Sequence, residues 1–248
     1  MAERIQSVER AALALRLIAS SPRHVGLTEL ARAMGLPKGT LHGILATLAA
    51  AGLVEQEPRS GKYRLGAVLL HFGSRYLDVN ELRSRSLHSA DTLAARSGEA
   101  VWIGTPHESQ VLVIHHVFRP DDSAQVLRVG ALLPAHGTAL GKVLLAFADA
   151  MEPPKTLPPA TGRTITDAEE LAAELDRVRE RGWAASVEEL TEGQAAVAAP
   201  IRDQLGAAVG AIGVSGRAER ITEAGVPRPG LVAYVVEAAA EIGRALVG

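Results

Sequence analysis

The residues of this chain that could do covalent chemistry are few, and their spacing points away from catalysis. It contains eight histidines and no cysteine, which excludes disulfide frameworks, thiolate metal sites and cysteine nucleophiles. His115 and His116 are adjacent in a stretch of strand character, so their side chains fall on opposite faces and cannot hold one ion together. One of the pair facing a ligand cavity and both acting as hydrogen-bonded core or interface histidines are the two open readings. The run GTALGK at residues 137–142 approaches a phosphate loop. It is one residue short between its glycines, however, and Val143 stands where Ser or Thr must hold magnesium. A helix start preceded by His136 and Gly137 still presents free backbone N–H groups, which suit a small anionic or hydroxylated ligand. Ser215 in GVSG lacks the GxSxG spacing of a nucleophile elbow. No metal, cofactor or catalytic set is expected.

The chemistry the chain does offer is recognition, and it is concentrated in residues 27–65. There Lys38, Gly39, Thr40, His42, Gly43 and Thr47 share one small, polar, cationic helix face. Lys38, Thr40 and His42 can donate to base edges, and the two glycines let the backbone come close. Arg59, Lys62 and Arg64 suit phosphate contacts. With Thr28, these residues form the expected DNA-binding set. They need elements to hold them. Leu27, Leu30, Ala31 and Met34 recur at intervals of three and four, which predicts a short helix. Gly35 tolerates positive φ at the turn, and Pro37 opens a second helix with Leu41, Ile44, Leu45 and Leu48 as its buried stripe. Two short helices and a tight turn make a helix-turn-helix whose second helix can enter a major groove. Leu53-Val54, a turn at Pro58-Arg59-Ser60-Gly61, and Lys62-Tyr63-Arg64-Leu65 predict a hairpin wing. A helix over residues 8–20, capped by Ser7, completes the small core.

Charge separates this end from the rest. Residues 1–66 carry nine Lys and Arg against five Glu, a net +4, while the whole chain is −2, leaving −6 elsewhere. A basic end in a near-neutral chain is where a duplex would bind. The 248 residues, 47% of them hydrophobic, have room for a second domain with a full core. Aromatic content of 3% argues against a stacking platform for single strands. With neither a secretory leader nor an apolar run of the ~20 residues that span a bilayer, a cytoplasmic protein is expected.

A linker helix pair is expected next, over residues 66–79 and 81–97. Val68, Leu69, Phe72 and Tyr76 are more apolar than a solvated spacer requires, which implies a partner helix or the chain's own wing. Short strands follow at 100–104, 111–117 and 125–133, then a helix at 138–147 and a Pro-rich loop at 152–159. A polar helix at 167–181, strands at 183–187, 195–201 and 207–215, and a closing helix at 231–247 complete an α+β domain with one antiparallel sheet.

IQSVERAALALRLIA, LTELARAMGLPKGTLHGILATLAAAGLVEQ, LPAHGTALGKVLLA, RGWAASVEELTEGQAAVAAPIRD and GAIGVSG resemble, in order and over nearly the whole chain, the IclR family of bacterial transcriptional regulators. More narrowly, YLDVNELRSRSL and VIHHVFRPDDSAQVLRVGALLPAHGTALGKVL resemble the branch of that family that regulates glycerol operons. The resemblance implies an N-terminal winged helix-turn-helix at 4–66, a linker helix at 67–80 and a C-terminal GAF-like effector-binding domain at 81–248. A homodimer or a tetramer of paired dimers is implied, with double-stranded operator DNA as partner and no membrane. By the family's pattern the effector cavity is lined by Ala139, Leu140, Ser186, Gln194, Ala196, Gly213 and Ser215. Several family members have carboxylates or cysteines at these places. The small uncharged Ser186, Ala196 and Gly213 argue against a metal or direct charge pairing, and a polyol or its phosphate, glycerol or glycerol 3-phosphate, is the implied effector. The implied function is repression of a glycerol-catabolism operon. The alternatives are regulation of another small-metabolite pathway, or an enzyme of polyol metabolites with a DNA-binding arm.

Overall fold

The computed structural model describes residues 5–78, 80–121 and 123–247, so Arg4, Val79 and Gly248, at the ends of expected segments, lie outside it. The chain forms two compact units, Met1–Leu77 and Asp78–Gly248.

In the first unit, α1 (Gln6–Ser20) starts two residues before the expected position. Ser7 is inside the helix and caps nothing; Ile5 is the cap residue, and its carbonyl accepts from the N–H groups of Val8 and Glu9 at 3.0 and 3.2 Å. The helices α2 (Leu27–Met34) and α3 (Lys38–Ala50) follow, separated by Gly35 in the left-handed region at φ 62°. Pro37 is the residue before α3, and its carbonyl accepts the Leu41 N–H at 3.1 Å. Leu41 and Leu45 are wholly buried against Ala14, Ile18, Leu30 and Tyr63. The wing is β1 (Val54–Gln56) paired antiparallel with β2 (Tyr63–Leu65). Val25 adds a bridge on the other side of β2 by exchanging two backbone hydrogen bonds with Tyr63, at 3.0 and 2.8 Å. That contact ties the wing to the segment before α2, so the hairpin does not depend on its own short ladder. The helix α4 (Val68–Asp78) follows the wing.

The second unit is a sheet between two helical layers. The helix α5 (Glu81–Ser97) precedes β3 (Ala100–His107), β4 (Gln110–Val117) and β5 (Leu132–Pro134). Next come α6 (Ala139–Phe147), α7 (Ala168–Arg181), β6 (Ala184–Val187), β7 (Gln194–Arg202) and β8 (Ala208–Arg217). A one-turn α8 (Ala218–Ile221), the small hairpin β9 (Thr222–Glu223) and β10 (Val226–Pro227), and α9 (Pro229–Val247) finish the chain. The strands are ordered β5-β4-β3-β8-β7-β6, antiparallel throughout. Alternation divides the side chains. Val197, Ile201, Ile212 and Val214 are fully buried on the face that α5 and α9 cover, while Ala184, Ala198 and Val113 pack under α6 and α7.

Two expectations need correction. Residues 81–97 are not half of a linker pair: Leu82, Ala90 and Leu93 are buried, and α5 packs on α9 and the sheet. Residues 125–131 are not a strand. Val126 and Leu127 are exposed, and only Leu132, Leu133 and Pro134 pair with β4. Before that, the segment touches the β4 backbone only at its end, where the Gly130 N–H donates to the Val113 carbonyl at 2.8 Å and the Ala131 carbonyl accepts the Val113 N–H at 2.9 Å.

Candidate functional site

In the first unit the outward face of α3 is open. Lys38, Gly39, Thr40, His42, Gly43 and Thr47 are all exposed, as are Thr28 on α2 and Arg59, Lys62 and Arg64 on the wing. They differ in what they are free to do. Thr47 Oγ1 donates to the Gly43 carbonyl at 2.9 Å, so that hydroxyl is engaged within the helix. Arg64 grips Glu55 across the hairpin, Nε at 3.0 Å and a terminal nitrogen at 2.7 Å. That bond, then the Ala67 N–H, holds the Glu55 carboxyl below its usual range. Arg64 therefore stiffens the wing before it can meet a phosphate. Lys38, Arg59 and Lys62 have no carboxylate partner among the described residues, which leaves their charge for a polyanion. The wing turn itself is fastened by Glu57, which accepts from Ser60, and by Gln56 Nε2 donating to the Gly61 carbonyl at 2.8 Å.

In the second unit a cavity of about 580 Å³ opens at the start of α6. Ser186, Ala196, Ser215 and Trp102 reach it from β6, β7, β8 and β3 because register puts Ser186 beside Ala196 and Ala196 beside Ser215 on one face. The α6 start supplies Thr138, Ala139 and Leu140. Thr138 caps the helix: its hydroxyl donates to the Pro134 carbonyl at 2.8 Å and accepts the Gly141 N–H at 3.2 Å. Gly141 makes this turn possible, since a Cβ there would lie 2.2 Å from the Ala135 carbonyl oxygen. The first-turn N–H groups have no partner within the helix, and the helix dipole adds positive potential at that end. Leu190, Thr191 and Gln194 close the far wall.

Of the seven expected effector residues, Ala139, Leu140, Ser186, Gln194, Ala196 and Ser215 line this one cavity. Gly213 lines a small void of about 20 Å³ that shares Trp102, Ala139, Leu140, Ala196 and Ser215 with the cavity. Ser186 is buried, its hydroxyl donating to the Gly137 carbonyl at 3.0 Å, so its oxygen is left to accept. Sequence reasoning missed Trp102, Thr138, Leu190, Thr191 and the cation Arg128. His116 does not line the cavity. Its ring stands edge-on to Trp102 at 5.7 Å and to Phe118 at 4.7 Å, and its Nδ1 accepts the Arg128 N–H at 3.2 Å. Burial, then His115 and Arg128, lower its pKa and keep it neutral. It is a structural histidine under the cavity wall.

Behind the cavity lies a buried ion cluster. Lys142 of α6, 2% exposed, places Nζ 2.7 Å from Glu189 Oε1 and 3.9 Å from Glu174 Oε1. Glu174 also binds Arg177 and Arg181, each at 2.8 Å. Burial alone would raise Glu174, but Lys142, Arg177 and Arg181 together hold its carboxyl below the usual range. For Glu189 burial, with a smaller push from Glu174, outweighs Lys142 and the Val187 backbone N–H and moves the carboxyl up. Thr161 and Thr164 donate to the carbonyls of Glu188 and Glu189, both at 2.6 Å, pinning the turn that presents Leu190 and Thr191. Among the described residues no group of three or more histidine, aspartate or glutamate side chains is placed to hold a metal. Nor is any helix among them long and apolar enough to cross a membrane.

A profile described as the IclR helix-turn-helix domain matches residues 7–58, and that of the bacterial transcriptional regulator IclR C-terminal domain matches residues 74–244. The chain belongs to the IclR family. This IclR-family regulator is 51% identical to the glycerol operon regulatory protein of Streptomyces griseus, over 99% of this chain and 98% of that one. It is 50% identical to the protein of the same name from Streptomyces coelicolor, with the same coverage. Among solved structures, the IclR transcriptional regulator of Alicyclobacillus acidocaldarius superposes with a TM-score of 0.82 at 29% identity, covering 98% of this chain and 100% of that one. The family and these relatives are transcriptional regulators, not enzymes, and regulators of this family bind operator DNA and small-molecule effectors.

Proposed function

We propose that this IclR-family regulator represses a glycerol-catabolism operon and is released from its operator by a small polyol metabolite, glycerol or glycerol 3-phosphate. The observation that carries the reading is the cavity at the α6 start, lined by hydroxyls, an amide, apolar walls and the cation Arg128, with no carboxylate in its lining. The chemistry of that lining suits a hydroxylated ligand. Two relatives of about half identity bear the name glycerol operon regulatory protein, which supports the pathway.

The DNA side is read by α3, with Thr40 and His42 at base edges and Lys38, Arg59 and Lys62 on phosphates. The winged helix occupies residues 4–66 and the linker 67–80, and the effector domain begins at residue 81. Repression requires two such modules at fixed spacing, so the working unit is a homodimer or a tetramer built from it. A homodimer is supported by α4, where Leu69, Phe72 and Tyr76 lie on one face and Phe72 and Tyr76 are 56% and 50% exposed. Effector binding acts only through its difference in affinity between the DNA-competent and released arrangements, usually ~1–3 kcal/mol. The test is a gel shift on the DNA upstream of the protein's own operon with glycerol and glycerol 3-phosphate titrated into the millimolar range. Release of the bound fragment is expected, and an unchanged shift with both ligands overturns the effector assignment.

A further inference from the structure

The cavity has a charge that its hydroxylated lining does not explain. Arg128 stands in its wall on the 118–131 segment between β4 and β5, and no Asp or Glu shares the lining. Its backbone is fixed: its N–H donates to His116 Nδ1 at 3.2 Å, and its carbonyl accepts the Ala131 N–H at 2.9 Å. Farther up the same segment, Gln125 Nε2 donates to the Arg119 carbonyl at 2.9 Å, while Gln125 Oε1 accepts the Arg119 N–H at 2.7 Å. The guanidinium itself has no carboxylate and no hydrogen-bond acceptor among the described residues. Three other arginines of the same unit are engaged. Arg119 binds Asp121 and lies 3.9 Å from Glu99, Arg181 binds Glu174, and Arg220 binds Glu99. An arginine held by its backbone, with its charged end left open in a cavity wall free of carboxylates, is organised for an anion that arrives from outside.

Building on the effector reading above, the geometry points to an anionic, hydroxylated ligand whose charged group pairs with Arg128. Its hydroxyls meet Ser186, Gln194 and Ser215. A neutral polyol would satisfy those three side chains and leave the guanidinium unpaired. Arg128 is thus the residue that distinguishes a phosphorylated or carboxylated polyol from the free one.

The test measures the affinities of glycerol 3-phosphate, glycerate and glycerol by calorimetry for the full chain and for the Arg128→Ala, Arg128→Lys and Ala196→Trp variants. In the unmodified chain at least one anion binds more tightly than glycerol; whichever anion is tighter identifies a phosphate or a carboxylate as the charged group. In Arg128→Ala the ratio of anion to glycerol affinity falls about 10- to 100-fold, the range for a lost charge-assisted bidentate contact, and Arg128→Lys restores part of it. If glycerol binds as tightly as both anions, or if the ratio is unchanged in Arg128→Ala, the role of Arg128 is overturned while the cavity stands as the effector site. Ala196→Trp fills the cavity; if it weakens no ligand, the effector site itself is misplaced and the inference falls with it.

Discussion

Replacing Lys142 with Met tests whether the cavity wall is held by a buried charge. Methionine keeps the apolar stem of the side chain and removes the ammonium, which sits 2.7 Å from Glu189 and is 2% exposed. Glu174 keeps Arg177 and Arg181, so its charge stays compensated. Glu189 does not: among the described residues its second oxygen has no hydrogen-bond partner, and its first would lose the Lys142 ammonium. Stranding one member of a buried pair costs about 3–5 kcal/mol. In a unit of the size of residues 78–248, that corresponds to a melting point lower by roughly 6–20 °C. The pH dependence is the sharper part. Burial raises the Glu189 carboxyl above its ordinary value of 4.5, so the folded state binds its proton more tightly than the unfolded chain does. Stability tied to this group is therefore gained as pH falls through the folded value and lost as pH rises from 4.5 through it. Without Lys142 the folded value moves higher, and the deficit of the variant shrinks on acidification from about pH 7.5 to about pH 5. Urea unfolding followed by the fluorescence of Trp102 and Trp183 measures it. A Glu189→Gln change in the Lys142→Met background should recover part of the loss at the higher pH. A deficit below about 1 kcal/mol, or one equal at both pH values, would refute the reasoning.

On the DNA side, Lys62→Ala should weaken binding to all sequences alike and lower the salt slope by about one unit. Thr40→Ala and His42→Ala should mainly relax sequence choice, and equal specificity losses from all three would show the helix and wing to be misassigned. Arg64→Ala should act chiefly through wing stability, because its guanidinium is held by Glu55; a full unit of salt slope lost there would contradict this. Gly141→Ala puts a Cβ 2.2 Å from the Ala135 carbonyl oxygen. It should cost about 1–3 kcal/mol or more and blunt the effector response, with unchanged melting and release as the contrary result. Phe72→Glu with Tyr76→Glu should dissociate the dimer in sedimentation, and an intact dimer would place its interface away from α4.

The DNA-binding half was readable because its signals are local. The stripe Leu41, Ile44, Leu45 and Leu48 sits within one helix, and the residues it leaves outward are the ones the structure exposes. The cap at Ser7 was misplaced because Ile5 carries no side-chain acceptor, so backbone carbonyls alone mark that helix start. In the second unit the strand alternation was legible while its closure was not. Residues 125–133 are apolar enough to read as a strand, yet β4 takes only residues 130–134 onto its edge, and Arg128 lies in the part left off the sheet. Pairing across the sheet depends on residues far apart in sequence, which spacing does not encode. The Lys142–Glu189 pair spans 47 positions. Its one local trace was a lysine inside the otherwise apolar helix ALGKVLLAF.

On the function proposed above, ligand in the second unit and operator on the first are coupled, and coupling between two binding sites is reciprocal. The most direct measurement is therefore the effector's dissociation constant with and without saturating operator DNA, set beside the operator's dissociation constant with and without saturating effector. Operator is expected to weaken effector binding by the same factor by which effector weakens operator binding. An effector that binds equally well to free and DNA-bound protein would contradict it.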